Sequence, residues 1–322
     1  MGRIWLGQKL NDQQLARLKQ SVQPYEIVHA SAQIESVLHT TPRDPVISNC
    51  EIAFGQPEVR DVIETKSLAW IALTTAGYTR YDNDEVRRAL AARGAQLTNA
   101  SAVYSEPTSQ HLLAMMLAMS RQFPLAIADQ LGAKSWNQEA VRSRSRLLDS
   151  NSTVFIVGFG SIGARLAELL APFNIRLIGF RRKVRGDESI ETFPIDKLDK
   201  HLSLADHIVN ILPASPSTIG FFDRARFARF KSGSIFYNAG RGDTVDQDAL
   251  FDALDINLGQ ACLDVTTPEP LPSSHRLWTH PRCFVTPHTA GGLSNEIDRH
   301  IDQFIENVSR FRCREPLIDR VM

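Results

Sequence analysis

Cysteine is scarce in this chain: four in 322 residues, Cys50, Cys262, Cys283 and Cys313, with no CxxC pair among them. That scatter excludes the usual zinc-ligand spacing, so no metal is expected, and free thiols in a cytoplasmic protein are the state it points to. An excess of either charge is missing as well, with Lys+Arg and Asp+Glu at 36 each. A neutral chain offers no net field to nucleic acid or to an anionic membrane surface. Long apolar runs are absent: the longest, residues 112–119, falls far short of the roughly 20 residues that a bilayer span requires. The start runs directly into strand-like Ile4-Trp5-Leu6, without the charged-then-apolar leader of a secreted protein. No segment repeats at a fixed period. The expectation is a globular protein, 43% hydrophobic and long enough for two domains, cytoplasmic, with no nucleic-acid and no membrane partner.

Against that background one stretch is distinctive. Residues 153–157 form a short, β-branched apolar run, as a parallel strand covered on both faces should. Gly158-Phe159-Gly160-Ser161-Ile162-Gly163 follows at once and opens a helix, and residues 175–180 read as a second strand. This is the spacing of a dinucleotide fingerprint. Gly158 permits the tight turn, Gly160 lets backbone approach a pyrophosphate, and Gly163 lets helix and strand pack closely. The helix N-terminus adds unpaired N–H groups and the positive end of a dipole. Glycine turns are common, so the six residues alone prove little. The strand before them, the helix after and the second strand supply the required context.

Such a second strand ends in Asp or Glu when the ribose carries a free 2′-hydroxyl. Here Arg181, Arg182 and Lys183 stand in that place. A guanidinium would hold a 2′-phosphate bidentately where a carboxylate would repel it. NADP(H) is therefore expected in preference to NAD(H), which stays possible. A solvated basic turn is the alternative. Asp187 is the nearest acid, and it lies too far beyond the strand to take the usual place.

From the start to about residue 98, short apolar runs alternate with helical segments. Strands are expected at residues 4–6, 25–28, 50–54, 68–73 and 96–98. Helices are expected through Leu15 and Leu18, over residues 34–38 and 59–64, and through Val86 and Leu90. Strand alternating with helix argues for a doubly wound parallel sheet. Ligands sit at the carboxyl ends of such strands, which marks two loops, Phe54-Gly55 and Thr74-Thr75-Ala76-Gly77-Tyr78. Small residues there let backbone N–H groups face an anion, although an ordinary strand-to-helix turn reads the same way. Residues 105–121 are expected as a helix with Pro107 in its first turn and no polar face, hence buried between domains or subunits. Residues 132–152 are polar and read as a loop.

After the basic cluster come strand-like runs at residues 207–212, 234–238 and 259–265, and a shorter one at 283–286. The loops that follow the last three carry one chemically able group each: Arg241, Glu269 and His288. Moving a hydride onto a carbonyl needs a fixed cation to hold the substrate carboxylate and polarise the carbonyl, which Arg does bidentately. It also needs an acid to protonate the forming alkoxide, and His titrates near neutrality. A neighbouring Glu would fix the imidazole ring. Singly, these could be a surface arginine, a loop carboxylate and a turn histidine; behind a dinucleotide fingerprint they form a set. The last element, residues 295–311, spaces Ile297, Ile301, Phe304, Ile305, Val308 and Phe311 as an amphipathic helix, expected to pack back on the first unit.

Taken together the motifs are specific. They are the glycine fingerprint, Leu212-Pro213-Ala214-Ser215-Pro216-Ser217-Thr218, Asn238-Ala239-Gly240-Arg241-Gly242, Asp264-Val265 with Glu269-Pro270, and Thr286-Pro287-His288-Thr289-Ala290-Gly291. In this order they resemble the NAD(P)-dependent D-isomer-specific 2-hydroxyacid dehydrogenase family, over nearly the whole chain. The resemblance implies an α/β fold of two doubly wound parallel-sheet domains. A Rossmann dinucleotide-binding domain, residues 104–289, would be inserted in a flavodoxin-like substrate domain, residues 1–103 and 290–322. It implies Arg241 as the substrate-orienting arginine, His288 as proton donor, Glu269 as the acid paired with it, and Asp264 beside the nicotinamide amide. Ala76 and Gly77 match the backbone that receives the substrate carboxylate. Leu212, Pro213, Thr218, Ala239, Gly240 and Gly291 join the glycine loop, Arg181, Arg182 and His288 as expected dinucleotide contacts.

A homodimer is implied too. Three departures stand out: Arg181 replaces the usual small acidic residue, Asn99-Ala100-Ser101 replaces Asn-Thr-Pro at the first hinge, and Gln110 precedes the helix histidine His111 where Glu is common. The activity expected is reduction of a small 2-oxo acid, of glyoxylate or hydroxypyruvate type, to the D-2-hydroxy acid. The alternatives are a dinucleotide-sensing, corepressor-like binding protein on the same fold, or a dehydrogenase of formate or phosphite.

Overall fold

The computed structural model of the protein describes residues 2–34 and 41–322. The chain divides into two compact units, one of Met1–Tyr104 with Leu293–Met322 and one of Ser105–Gly292.

In the first unit, β1 (Arg3–Gln8), β2 (Glu26–Ile34), β3 (Ile52–Phe54), β4 (Trp70–Ala72) and β5 (Gln96–Thr98) form a sheet in the order β2-β1-β3-β4-β5. All its pairs are parallel, and the order is the flavodoxin-like one. Helices α1 (Asp12–Ser21), α2 (Val59–Glu64) and α3 (Asp84–Arg93) connect the strands. Local chemistry sets their ends: Asn11 and Gln14 close a capping box before α1, and Gly94 stops α3 in the left-handed region at φ +65°. Alternate strand residues feed opposite faces. Ile4, Leu6, Ile52, Phe54 and Trp70 enter one core; Trp5, Ala53 and Ile71 enter the other. The C-terminal helix, Glu296–Cys313, lays Ile301, Phe304 and Val308 on the first of these faces. The ring of Phe304 stacks at 4.1 Å from Phe54 and 5.1 Å from Trp70. Strand β2 is longer than the expected 25–28 and takes Ile34 from the helix expected at 34–38; the rest of that segment lies outside the described residues.

Helix α4 (Ser101–Ser120) runs from the last residues of the first unit's opening segment into the second unit; it begins four residues earlier than expected and so carries Pro107 in its second turn rather than its first. Leu112, Met116 and Met119 line one side of α4 and enter the core with Val154 and Ile156. Within the single chain Leu117, on another side of the helix, is 36% exposed. The residues after it hold α5 (Phe123–Leu131), which the preceding apolar run masks in the sequence, and α6 (Gln138–Arg144), inside the stretch expected as loop. Both are short helices without a buried residue; the apolar Phe123, Ile127 and Leu131 of α5 face outward. Among the described residues no single helix is long and apolar enough to cross a bilayer.

Then follow β6 (Thr153–Val157), α7 (Ser161–Leu170), β7 (Arg176–Arg181), β8 (Glu191–Pro194), β9 (His207–Asn210), α8 (Arg224–Phe227), β10 (Ile235–Asn238), α9 (Gln247–Ile256), β11 (Gln260–Leu263) and β12 (Cys283–Val285). The sheet order is β12-β11-β10-β9-β6-β7-β8, parallel throughout. Counted from β6 as the first strand, this is the dinucleotide-binding order with one strand added, and the chain reverses its direction of travel between β6 and β9. Strand β8 was not expected from the sequence. It is an edge strand, half exposed and closed by Pro194, so it lacks the continuous apolar run that marks a buried strand.

Candidate active site

The glycine loop sits where β6 meets α7. Gly158 adopts φ +98°, and a Cβ there would come within 2.7 Å of the Ile211 carbonyl. Only glycine fits, because the turn lies against the start of the loop after β9. The amides of Gly158 and Phe159 both donate to the carbonyl of Phe180, at 2.8 and 2.9 Å. The ring of Phe159 is 4% exposed and packs in the core. That residue is therefore turned inward. The donors suited to a pyrophosphate are those of the first turn of α7, at Gly160, Ser161 and Ile162.

Three neighbouring strands, β10, β11 and β12, carry the polar groups on the loops at their carboxyl ends. Two strand spacings separate β10 from β12, about 10 Å, so the loops bearing Arg241 and His288 share one end of one sheet. Asn210 and Asn238, at the ends of β9 and β10, tie this region together. The amide of Asn210 donates to Asn238 Oδ1 at 3.0 Å and to Thr244 Oγ1 at 2.7 Å. Thr244 Oγ1 donates in turn to the carbonyl of Arg241 at 2.6 Å, and Asn238 Nδ2 to the same carbonyl at 3.2 Å. Gly240 donates to Asn238 Oδ1 at 3.1 Å. A Cβ on Gly240 would meet the Leu212 carbonyl at 2.5 Å, so the loops after β9 and β10 touch backbone to backbone. Thr218 is buried, and its hydroxyl closes the Leu212-Pro213 loop by donating to the Pro213 carbonyl at 2.6 Å.

His288 stands three residues past β12, with its Nδ1 2.8 Å from Glu269 Oε2. Glu269 is fixed by its other oxygen, which accepts from the Thr266 amide at 3.0 Å. The pair is partly exposed, His288 at 29% and Glu269 at 36% of the side chain. A carboxylate on Nδ1 leaves Nε2 as the working nitrogen of the ring. His288 itself takes φ +52°, unusual for a non-glycine residue. Asp264 holds it there. This carboxylate, 5% exposed, accepts from Thr286 Oγ1 at 2.6 Å, from the Thr289 amide at 2.9 Å and from the Ala290 amide at 3.0 Å. His288 N–H also donates to the Asp264 carbonyl at 2.8 Å. Asp264 is thus the clamp of the histidine loop. His111 on α4 lies 3.4 Å from Thr286 Oγ1 and 4.0 Å from Asp264 Oδ1.

In the first unit Ala76 and Gly77 follow β4 at its carboxyl end. Their carbonyls are both tied down, Ala76 by Asn99 Nδ2 at 2.7 Å and Gly77 by Thr75 Oγ1 at 2.7 Å. That leaves amide N–H groups as the loop's remaining main-chain offering. The other marked loop is accounted for by packing: Phe54 is buried, and Gly55, at φ +134°, sits so close to Gly7 that a Cβ there would lie 3.2 Å from the Gly7 Cα. Beside the Thr74 loop sits a cluster that sequence reasoning missed. Tyr104 Oη lies 2.6 Å from Glu296 Oε1, 3.1 Å from His300 Nε2 and 3.1 Å from the Thr74 carbonyl. Burial opposes ionisation of Glu296, but bonds from His300 and Tyr104 hold its carboxyl below the usual range. Only the histidine and glutamate four residues apart on one helix could have hinted at it.

At the end of β7, Arg181 Nη1 pairs with Glu188 Oε1 at 3.0 Å, while Arg182 and Lys183 are exposed. The acid that reaches the strand end is therefore Glu188 and not Asp187, because the turn folds back on itself.

A family model described as the NAD-binding domain of D-isomer-specific 2-hydroxyacid dehydrogenases matches residues 113–290. The chain belongs to that family. As a family member it is an NAD(P)-dependent oxidoreductase, which sets aside the corepressor-like alternative. Among its relatives, an uncharacterised protein from the proB 3′ region of Corynebacterium melassecola is 34% identical over 241 residues, covering 73% of this chain and 77% of that one. Glyoxylate/hydroxypyruvate reductase B of Escherichia fergusonii is 31% identical over 289 residues, covering 88% and 87%. A D-isomer-specific 2-hydroxyacid dehydrogenase family protein from Aeromonas salmonicida superposes with a TM-score of 0.75 at 28% identity, covering 100% of this chain and 99% of that one.

Proposed function

We propose that this 2-hydroxyacid dehydrogenase family member reduces a small 2-oxo acid, of glyoxylate or hydroxypyruvate type, to the D-2-hydroxy acid, with NADP(H) preferred over NAD(H). The observation that carries the reading is the 2.8 Å contact of Glu269 with His288 Nδ1, beside the loop of Arg241. The first turn of α7 would hold the pyrophosphate, and Arg181 and Arg182 the 2′-phosphate. Leu212, Pro213, Ala239, Gly240 and Gly291 supply the rest of the dinucleotide's bed. When bound, the dinucleotide supplies a hydride to the substrate carbonyl carbon.

The chain's own residues do the remaining work. Arg241 binds the substrate carboxylate and polarises the carbonyl, its guanidinium steadied by the Gly240 carbonyl at 2.6 Å. Ala76 and Gly77 add main-chain N–H groups to the carboxylate. His288 Nε2 delivers a proton to the carbonyl oxygen as it becomes an alkoxide, while Glu269, against Nδ1, keeps the ring in place. Asp264 fixes the loop on which this happens. The first unit then acts as the substrate domain and the second as the dinucleotide domain. The exposed Phe123, Ile127 and Leu131 of α5, at 57, 49 and 78%, suit a homodimer in which a second copy covers them.

The relative named glyoxylate/hydroxypyruvate reductase B supports the substrate class. The test is turnover of glyoxylate, hydroxypyruvate, pyruvate and phenylpyruvate with NADPH and with NADH. The first two should give the highest kcat/KM, with NADPH. No turnover of any 2-oxo acid would end this reading, and higher efficiency with NADH would end its cofactor half.

A further inference from the structure

The turn after β7 contains a carboxylate for which the cofactor reading has no use. Glu188 Oε1 accepts from Arg181 Nη1 at 3.0 Å and from the Arg185 amide at 2.7 Å; Oε2 accepts from the Gly186 amide at 2.8 Å. Its side chain is 5% exposed and that of Arg181 19%. The reversal that allows this passes through Gly186 at φ +91°, where a side chain would be strained. Residues 182–187 thus form a closed loop, fastened to the strand end by one side chain, with Arg182, Lys183 and Arg185 on its exposed rim.

Two consequences follow from that geometry. A buried carboxylate with three donors is committed to its own loop, unlike a strand-end Asp that reaches out to a ribose hydroxyl. Arg181, for its part, is gripped through one nitrogen only. The rest of its planar fork keeps a fixed direction, which is what bidentate recognition of a phosphate needs. Unfastened, the guanidinium and the three basic side chains on the rim would each have to be ordered by the ligand itself.

We propose that Glu188 is the positioning residue of the 2′-phosphate subsite: it clasps residues 182–187 and aims Arg181, so that NADP(H) is distinguished from NAD(H). This rests on the NADP(H) reading above.

The test measures binding of adenosine 2′,5′-bisphosphate and of adenosine 5′-monophosphate to the full-length protein by calorimetry. The ratio of the monophosphate's dissociation constant to that of the bisphosphate isolates the 2′-phosphate. Glu188→Ala should lower that ratio about tenfold, as expected for losing the orientation of a charge-assisted bond, with the monophosphate affected less than twofold. Glu188→Gln, which keeps an acceptor for the loop amides, should recover part of the loss. The KM for NADPH should rise in Glu188→Ala while that for NADH holds. An unchanged ratio overturns the clasp, as does equal weakening of both ligands, which would mark a merely structural loop. A raised ratio overturns it too, since Glu188 would then be competing with the phosphate. A wild-type ratio near one instead removes the subsite itself, and with it the NADP(H) reading.

Discussion

Gly242 is the tightest point of the proposed site and offers a demanding test of it. A Cβ there would lie 2.0 Å from the Thr266 carbonyl oxygen and 2.1 Å from its carbon. Both neighbours are main chain, so no flexible side chain can yield. For Gly242→Ala to fold, the loop after β10 must part from the loop after β11 by about 1 Å or more. The first loop carries Arg241. The second carries Glu269, whose carboxylate is hung on the Thr266 amide. The substitution therefore moves the proposed substrate anchor away from the proposed proton donor's partner. A misplacement of about 1 Å costs on the order of 10²-fold in rate, and overpacking of this kind costs about 1–3 kcal/mol of stability. We expect kcat/KM for the 2-oxo acid to fall about 100-fold, with a melting temperature lower by a few degrees and unchanged far-UV circular dichroism at assay temperature. A folded Gly242→Ala enzyme within threefold of wild type would refute the reasoning, because the two loops would not need their observed spacing.

Glu269→Gln removes the charge that holds His288 Nδ1. It should lower kcat about 10- to 100-fold, the worth of a charge-assisted hydrogen bond at a partly exposed site, and leave dinucleotide affinity within twofold; equal losses in both would count against a role in proton delivery. His207, at the start of β9, gives a stability prediction. Burial, reinforced by Arg146 and opposed by Asp206, lowers it from 6.5 to about 4. Its folded state stays neutral while the unfolded chain takes up a proton, so stability is full above pH 6.5 and falls as pH drops from there towards 4, by about 2 kcal/mol at pH 5. Urea midpoints at pH 7 and 5 should differ less in His207→Gln than in wild type, and an identical difference would show that another group carries the slope.

The sequence announces most of the parallel strands because they are short apolar runs buried on both faces, as in residues 153–157 and 235–238. It announces the loops at their ends because glycine, proline and small residues cluster there. It conceals β8, which is half exposed, and α5 and α6, which bury nothing. It misplaces Pro107 by a turn, since the helix starts from residues that carry no apolar signal. Within the site, residue types at strand ends were legible, but partners distant in sequence were not. Nothing in the spacing tells that Glu188 returns to Arg181, that Asp264 is taken up by three donors of the 286–290 loop, or that Glu296 and His300 enclose Tyr104. Those links depend on turns whose direction is set by packing.

The most direct test of the central claim is single-turnover reduction of glyoxylate or hydroxypyruvate by wild type and by His288→Asn, followed by loss of NADPH absorbance, with NADPH affinity measured in parallel by fluorescence. The account predicts a fall of about 10² to 10⁴ in the rate of the chemical step, the usual worth of a positioned general acid, at near-unchanged NADPH affinity. A wild-type rate in His288→Asn would contradict it.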